Sequence, residues 1–149
     1  VRTLTRTVAE CRAMGHEVEV IEPSLFKTIP CPTYPEIRLA LGAEEEIREM
    51  LRAFEPEAVH IATEGPIGIA IRRICVEWKL PFTTSYHTKF PEYVSARFPI
   101  PLQVGYAYMK WFHKPSGRLM VATPTLRACR PCSPKTWPSS CEAPLATPA

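Results

Sequence analysis

A helical pattern followed by a short strand-like run recurs along residues 43–122, and that alternation leaves few folds open. Ala43 to Phe54 carries Ile47, Met50, Leu51 and Phe54 at helical spacing. Glu44, Glu45 and Glu46 stand near its start, where negative charge favours the helix macrodipole. Pro56 ends it, and Ala58 to Ala62 (AVHIA) reads as a buried strand. Thr63-Glu64-Gly65-Pro66 turns the chain, with Pro66 well placed to open a helix from Ile67 to Trp78. Leu80-Pro81 turns it again before the strand Phe82 to Tyr86 (FTTSY). Pro91 to Pro101 is irregular, with room for a short helix. Leu102 to His113 is amphipathic, with Leu102, Tyr106, Met109 and Phe112 on one side, and Arg118 to Ala122 (RLMVA) is a further strand. Strands separated by helices in this way predict an α/β fold with a parallel sheet and right-handed crossovers.

The N-terminal part continues the theme. Val1, Leu4, Val8, Cys11 and Met14 fall at helical spacing, and Gly15 sits where a helix-ending glycine belongs. Glu17 to Glu22 (EVEVIE) is rich in β-branched residues and predicts a strand. Helix, glycine, strand is the second half of a βαβ unit, so a first strand is expected before Val1 and the chain reads as truncated there. Pro23, Pro30, Pro32 and Pro35 predict a loop over residues 23–35, while Glu36 to Leu41 (EIRLAL) suits either a short strand or the start of a helix.

After Leu126 the character changes. Residues 127–149 have no periodicity and carry Pro131, Pro134, Pro138, Pro144 and Pro148, which forbid a regular helix or central strand. Two expectations fit this tail: disorder, or a frameshift in a GC-rich gene. Cys129, Cys132 and Cys141 crowd it, whereas Cys11, Cys31 and Cys75 are scattered singly, as in a reduced cytosolic protein. Cys129-Arg130-Pro131-Cys132 matches C-x-x-C formally, but it does not open a helix after a strand. No His and Cys residues have convincing zinc spacing, so no metal site is expected.

Composition excludes some functions. The formal charge of +3 falls far short of a nucleic-acid-binding footprint. No apolar run approaches the roughly 20 residues needed to span a bilayer.

In parallel α/β sheets, ligands bind outside the C-terminal ends of the strands. Those ends are Thr63-Glu64-Gly65 and Tyr86-His87-Thr88. His87 is the leading catalytic candidate. It can hydrogen-bond a ligand hydroxyl or position a leaving group, against the plainer role of satisfying a loop backbone. Glu64 can accept from a ligand hydroxyl, or balance the adjoining helix start. Gly65 and Gly68 let backbone approach a ligand or a neighbouring strand. Neither G-x-G-x-x-G nor a Walker A sequence is present. His60, between Val59 and Ile61, reads as a core or edge histidine, and His113 as a helix-ending cation.

Several segments taken together resemble a known family. They are Val1-Arg2-Thr3-Leu4, Gly15-His16-Glu17-Val18, and Pro30-Cys31-Pro32-Thr33-Tyr34-Pro35-Glu36. With them go His60 to Gly68 (HIATEGPIG) and Thr84 to Tyr93 (TSYHTKFPEY). Over residues 1–126 the chain is similar to bacterial family-four glycosyltransferases, above all to GDP-mannose-dependent α-mannosyltransferases and related glycolipid glycosyltransferases. The resemblance implies a retaining GT-B enzyme with two Rossmann-like domains, each with helices on both faces of its sheet. This chain would be the N-terminal, acceptor-side domain. The partners implied are a nucleotide-sugar donor as co-substrate and a lipid or glycan acceptor, with no metal or other cofactor. A cytoplasmic location with peripheral contact at the inner membrane face goes with that. The resemblance places His87 near the donor sugar at the reaction centre, with Thr63, Glu64 and Gly65 lining the same cleft. It extends the substrate-binding set to Gly68, Tyr86, Thr88 and Tyr93.

The same resemblance expects a glycine-rich turn before Val1 and a donor domain after this one, so the chain by itself is expected to be inactive. A competing expectation is a non-catalytic module that binds an acceptor, a lipid or a membrane surface. Arg2, Arg6, Arg72, Arg73, Lys110 and Lys114 would meet an anionic surface, with Trp111 and Phe112 at the interface. The plainer account of those charges is a solvated helix face.

Overall fold

A computed structural model describes residues 2–31, 34–87, 90–96 and 98–121. The expectations for Thr88 and for the tail at 127–149 lie outside them. The first helix, α1 (Arg2–Ala13), ends as its glycine predicts. Gly15 takes φ 87°, His16 N–H donates to the Cys11 carbonyl and Gly15 N–H to that of Arg12. This is the paired bonding of a Schellman motif.

The expected strand at Glu17–Glu22 does not form. No other described strand runs beside the segment to close a ladder. Leu4 of α1 and Met14 just beyond its end are exposed.

The proline-rich stretch also departs from expectation. After a single 3-10 turn at Pro23–Leu25 it forms a hairpin, β1 (Ile29–Cys31) against β2 (Tyr34–Leu39), antiparallel and irregular between Pro30 and Cys31. Two strands make only edges, so Pro30 and Pro35 lose no central ladder bond. The undecided segment at Glu36 is thus strand.

The rest follows the predicted alternation: α2 (Glu44–Phe54), β3 (Val59–Ile61), α3 (Pro66–Trp78), β4 (Phe82–Tyr86), α4 (Phe90–Ser95), α5 (Leu102–His113) and β5 (Arg118–Val121). β3, β4 and β5 form a parallel sheet in that order, with Val59 opposite Phe82, Thr84 opposite Leu119 and Tyr86 opposite Val121. The fold is an α/β arrangement of Rossmann-like type. Its core joins Ile47 and Leu51 of α2, Ile61 of β3, Ile71, Ile74 and Cys75 of α3, Phe82 of β4 and Phe112 of α5. A second cluster joins Tyr86, Met109 and Leu119, and Tyr108 packs against both.

α3 also ends on a left-handed residue, but here it is Lys79 at φ 56° rather than glycine. Leu80 N–H reaches the Cys75 carbonyl and Lys79 N–H that of Val76, so the turn demands that conformation. Lys79→Gly is therefore expected to stabilise the fold by about 0.5–1 kcal/mol, read as a higher urea midpoint at unchanged slope. A midpoint at or below wild type would show that the lysine side chain itself contributes.

Candidate functional site

Thr63, Glu64 and Gly65 follow the C-terminal end of β3, and His87 follows that of the neighbouring strand β4. Beyond β3 the chain turns through Thr63 and Glu64 to Gly65, which precedes α3, and Pro66 takes the first helical position. Gly68, one turn into α3, is buried beneath this turn. A Cβ there would lie 2.1 Å from the Thr63 carbonyl oxygen and 3.1 Å from Ile61 Cγ2. Gly68 therefore lets α3 lie directly against the turn that carries Glu64. Gly65 meets no such crowding.

Thr63 is exposed. Gly65, with no side chain, is the N-cap of α3. Glu64 Oε1 lies 3.4 Å from His113 Nε2, and the Tyr108 hydroxyl donates to the Glu64 backbone carbonyl. Both partners come from α5, 44 and 49 residues along the chain. Burial is the main cause that pushes the Tyr108 phenol up to about 12, with the Glu64 charge adding to it.

His87 follows β4 and is exposed. Tyr86 points inward: it is buried among Met109 and Leu119, edge-on to His113 with ring centroids 6.0 Å apart. It lies in the core rather than at the surface. Tyr93 falls on α4, and on the same helix Glu92 accepts from the Tyr106 hydroxyl.

Two histidines that read as structural in the sequence have defined chemical partners. His113 is fully buried, and its Nδ1 lies 2.9 Å from Thr84 Oγ1. His60, an exposed edge-strand residue as expected, lays its ring across β4. Nδ1 is 2.8 Å from Thr83 Oγ1 and Nε2 is 2.7 Å from Ser85 Oγ. Withdrawal of the ring from water, and then the nearby His87 charge, lower its pKa from the usual 6.5. The sign of the linkage follows. As pH falls through about 6.5 the unfolded chain takes up a proton on His60 before the folded chain does, so stability drops; above that range His60 is neutral in both states and contributes no slope. Urea midpoints measured from neutral to mildly acidic pH are expected to fall, and to fall less in His60→Asn. An equal fall in both would assign the slope to another group.

His60 could be placed from sequence by its partners at Thr83 and Ser85, an alternation that puts both hydroxyls on one face of β4. The pairing of His113 with Glu64 leaves no local signal. A cavity of about 300 Å³ between residues 40–44 and the start of α3 holds none of the predicted site residues; its lining is apolar apart from Glu44 and Arg73. No group of described residues is arranged to hold a metal ion.

The expected membrane-facing set is partly reassigned. Phe112 lies in the core. Arg72 donates to the carbonyls of Trp111 and Phe112 and stacks 3.9 Å from the Trp111 ring centroid. Arg73 lies 3.4 Å from Glu44. No helix among the described residues is long and apolar enough to cross a membrane.

The family model for glycosyltransferase family 4 matches residues 1–128. The chain belongs to that family. No curated protein and no solved structure matches it significantly. In this family 4 glycosyltransferase chain, Thr63, Glu64 and His87 thus stand at the sheet end where α/β folds bind their ligands.

Proposed function

We propose that this chain supplies the acceptor-side half of the active cleft of a retaining glycosyltransferase. That enzyme moves a hexose, mannose from GDP-mannose in the first instance, to a lipid or glycan acceptor. The domain comprises residues 1–126. His87 stands at the reaction centre and hydrogen-bonds the transferred sugar. Thr63 and Glu64 receive acceptor hydroxyls, with Gly65, Thr88 and Tyr93 around them. Tyr86 and Gly68 serve as floor and spacer. In this reading a second, donor-binding half holds the leaving diphosphate. The supporting observation is the pairing of the Glu64 carboxylate with His113, with His87 exposed at the end of the neighbouring strand, on a chain of this family.

The test is a pair of titrations followed by backbone amide resonances. Glycolipid head groups are expected to shift Thr63, Glu64 and His87, and GDP to leave them in place. Incubation with GDP-mannose and an acceptor is expected to release no GDP from the chain alone. Shifts caused by GDP but not by head groups would overturn the acceptor-side assignment.

A second reading, binding to a lipid surface, is favoured by one observation. Phe98, Ile100, Leu102 and Val104 are all exposed at the entry to α5. Sedimentation with anionic liposomes at low and high salt tests it: binding that survives high salt and is lost in Val104→Asp supports the apolar patch, and no binding rejects it.

A further inference from the structure

Glu64 is held at both ends by α5, and the hydrogen bonds behind His113 decide what its outer nitrogen carries. The Ser116 hydroxyl donates to the His113 carbonyl at 2.7 Å, and the Thr84 hydroxyl donates to Ser116 Oγ at 3.2 Å. Each hydroxyl has one proton to give. Thr84 Oγ1 is left to accept, so His113 Nδ1, 2.9 Å away, is the donor. A neutral ring would then turn the Nε2 lone pair toward the ionised Glu64 carboxylate at 3.4 Å. A proton on Nε2 as well removes that conflict and makes the ring an imidazolium.

The surroundings of the ring divide as follows. Its position as the last residue of α5 favours a cation, as does Glu64. The Arg72 guanidinium, bonded to the Phe112 carbonyl, opposes it. Tyr86 on β4 stands edge-on to the ring, and Tyr108 keeps its phenol proton on the Glu64 carbonyl. The Glu64 side chain is 14% exposed, so its carboxylate remains within reach of a ligand. An ionised carboxylate only accepts hydrogen bonds, which selects a hydroxyl-bearing group over a phosphate.

We propose that His113 is a positioning residue: as an imidazolium it aligns the Glu64 carboxylate at the C-terminal end of the sheet to accept from a sugar hydroxyl. This role rests on the acceptor-side reading above. Two measurements separate its failure from the failure of that reading. In ¹⁵N-histidine-labelled chain at near-neutral pH, the His113 ring is expected to show protons on both nitrogens. In Glu64→Gln the new amide can donate to Nε2, so the ring is expected to lose its Nε2 proton while keeping the one on Nδ1. A wild-type ring protonated on Nδ1 alone, or one unchanged by Glu64→Gln, overturns the proposal. The second measurement titrates a methyl hexoside against wild type and His113→Gln, followed at the Glu64 amide. A loss of about tenfold or more in affinity, which corresponds to about 1.4 kcal/mol, is expected. Equal affinity overturns the role of His113 and leaves the acceptor-side reading standing. No binding by wild type overturns that reading instead, and the ring measurement still decides the positioning. Should His113→Gln fail to fold, the comparison of wild type with Glu64→Gln decides alone.

Discussion

Replacing Gly68 by alanine is expected to destabilise the fold by about 2–3 kcal/mol, against the sign that helix propensity alone predicts. Gly68 lies inside α3, where alanine is favoured over glycine by about 1 kcal/mol. The added Cβ, however, would stand 2.1 Å from the Thr63 carbonyl oxygen. The obstacle is backbone, so no side chain can rotate away from it. Either α3 moves off the sheet, losing contacts of Ile71 and Ile74, or the turn at Thr63 and Glu64 moves. Urea unfolding reads the loss, and the amide resonances of Thr63 and Glu64 report which partner gives way. A displaced turn would also carry Glu64 away from His113. A Gly68→Ala chain as stable as wild type, with those resonances unmoved, would mean that helix and turn are not in contact.

Phe112→Ala is expected to cost about 3–5 kcal/mol. Its side chain is 0% exposed and joins α5 to the core built from α2, α3 and β4. Its ring packs against Tyr108 and His113 at centroid distances of 6.1 and 5.2 Å, so the cavity left behind would border the residues that hold Glu64. Small domains are stable by only about 5–15 kcal/mol, and a loss of this size brings the chain close to unfolding near room temperature. The neighbouring substitution Trp111→Ala is the control. Trp111 is 44% exposed, and it stacks on Arg72, a contact worth about 0.5–1 kcal/mol at such a site. Thermal or urea unfolding of the two variants is expected to differ by several-fold in effect. Equal losses would place both rings in the core.

The adjacent pair Trp111 and Phe112 shows where sequence reasoning runs out. Helical spacing put Phe112 on the apolar side with Met109, and both are buried. Charge and aromatic content nevertheless made Phe112 a candidate for a membrane surface. Only the packing of α5 against the sheet separates a core ring from its exposed neighbour. Glu64 was legible as a candidate because it stands just past a strand, where α/β folds expose their ligand sites. Its partner His113 was not, because nothing local connects residues so far apart in the chain. Tyr86 was legible as part of the same strand end but not as buried in the core, since strand alternation breaks down where both faces of a parallel sheet are covered.

The segment Glu17–Glu22 failed for a different reason. β-branched composition predicts an extended backbone, and the backbone has no helix there. A strand also needs a neighbour to supply its hydrogen bonds, and that is a property of the pair rather than of the segment.

By itself the sequence determined the helices α2, α3 and α5, the strands β3, β4 and β5, and their parallel pairing class, because periodicity and turn chemistry are local and a helix between two strands is long enough to cross over and start the next strand in parallel. It also marked the two strand ends at which a site would lie. Only the tertiary structure decided that Gly68 serves the turn, that Tyr86 lies in the core, and that His113 and Tyr108 lie against Glu64. Those contacts depend on the angle and depth at which α3 and α5 pack on the sheet, which are set by the interlocking of many side chains at once rather than by any one stretch of residues.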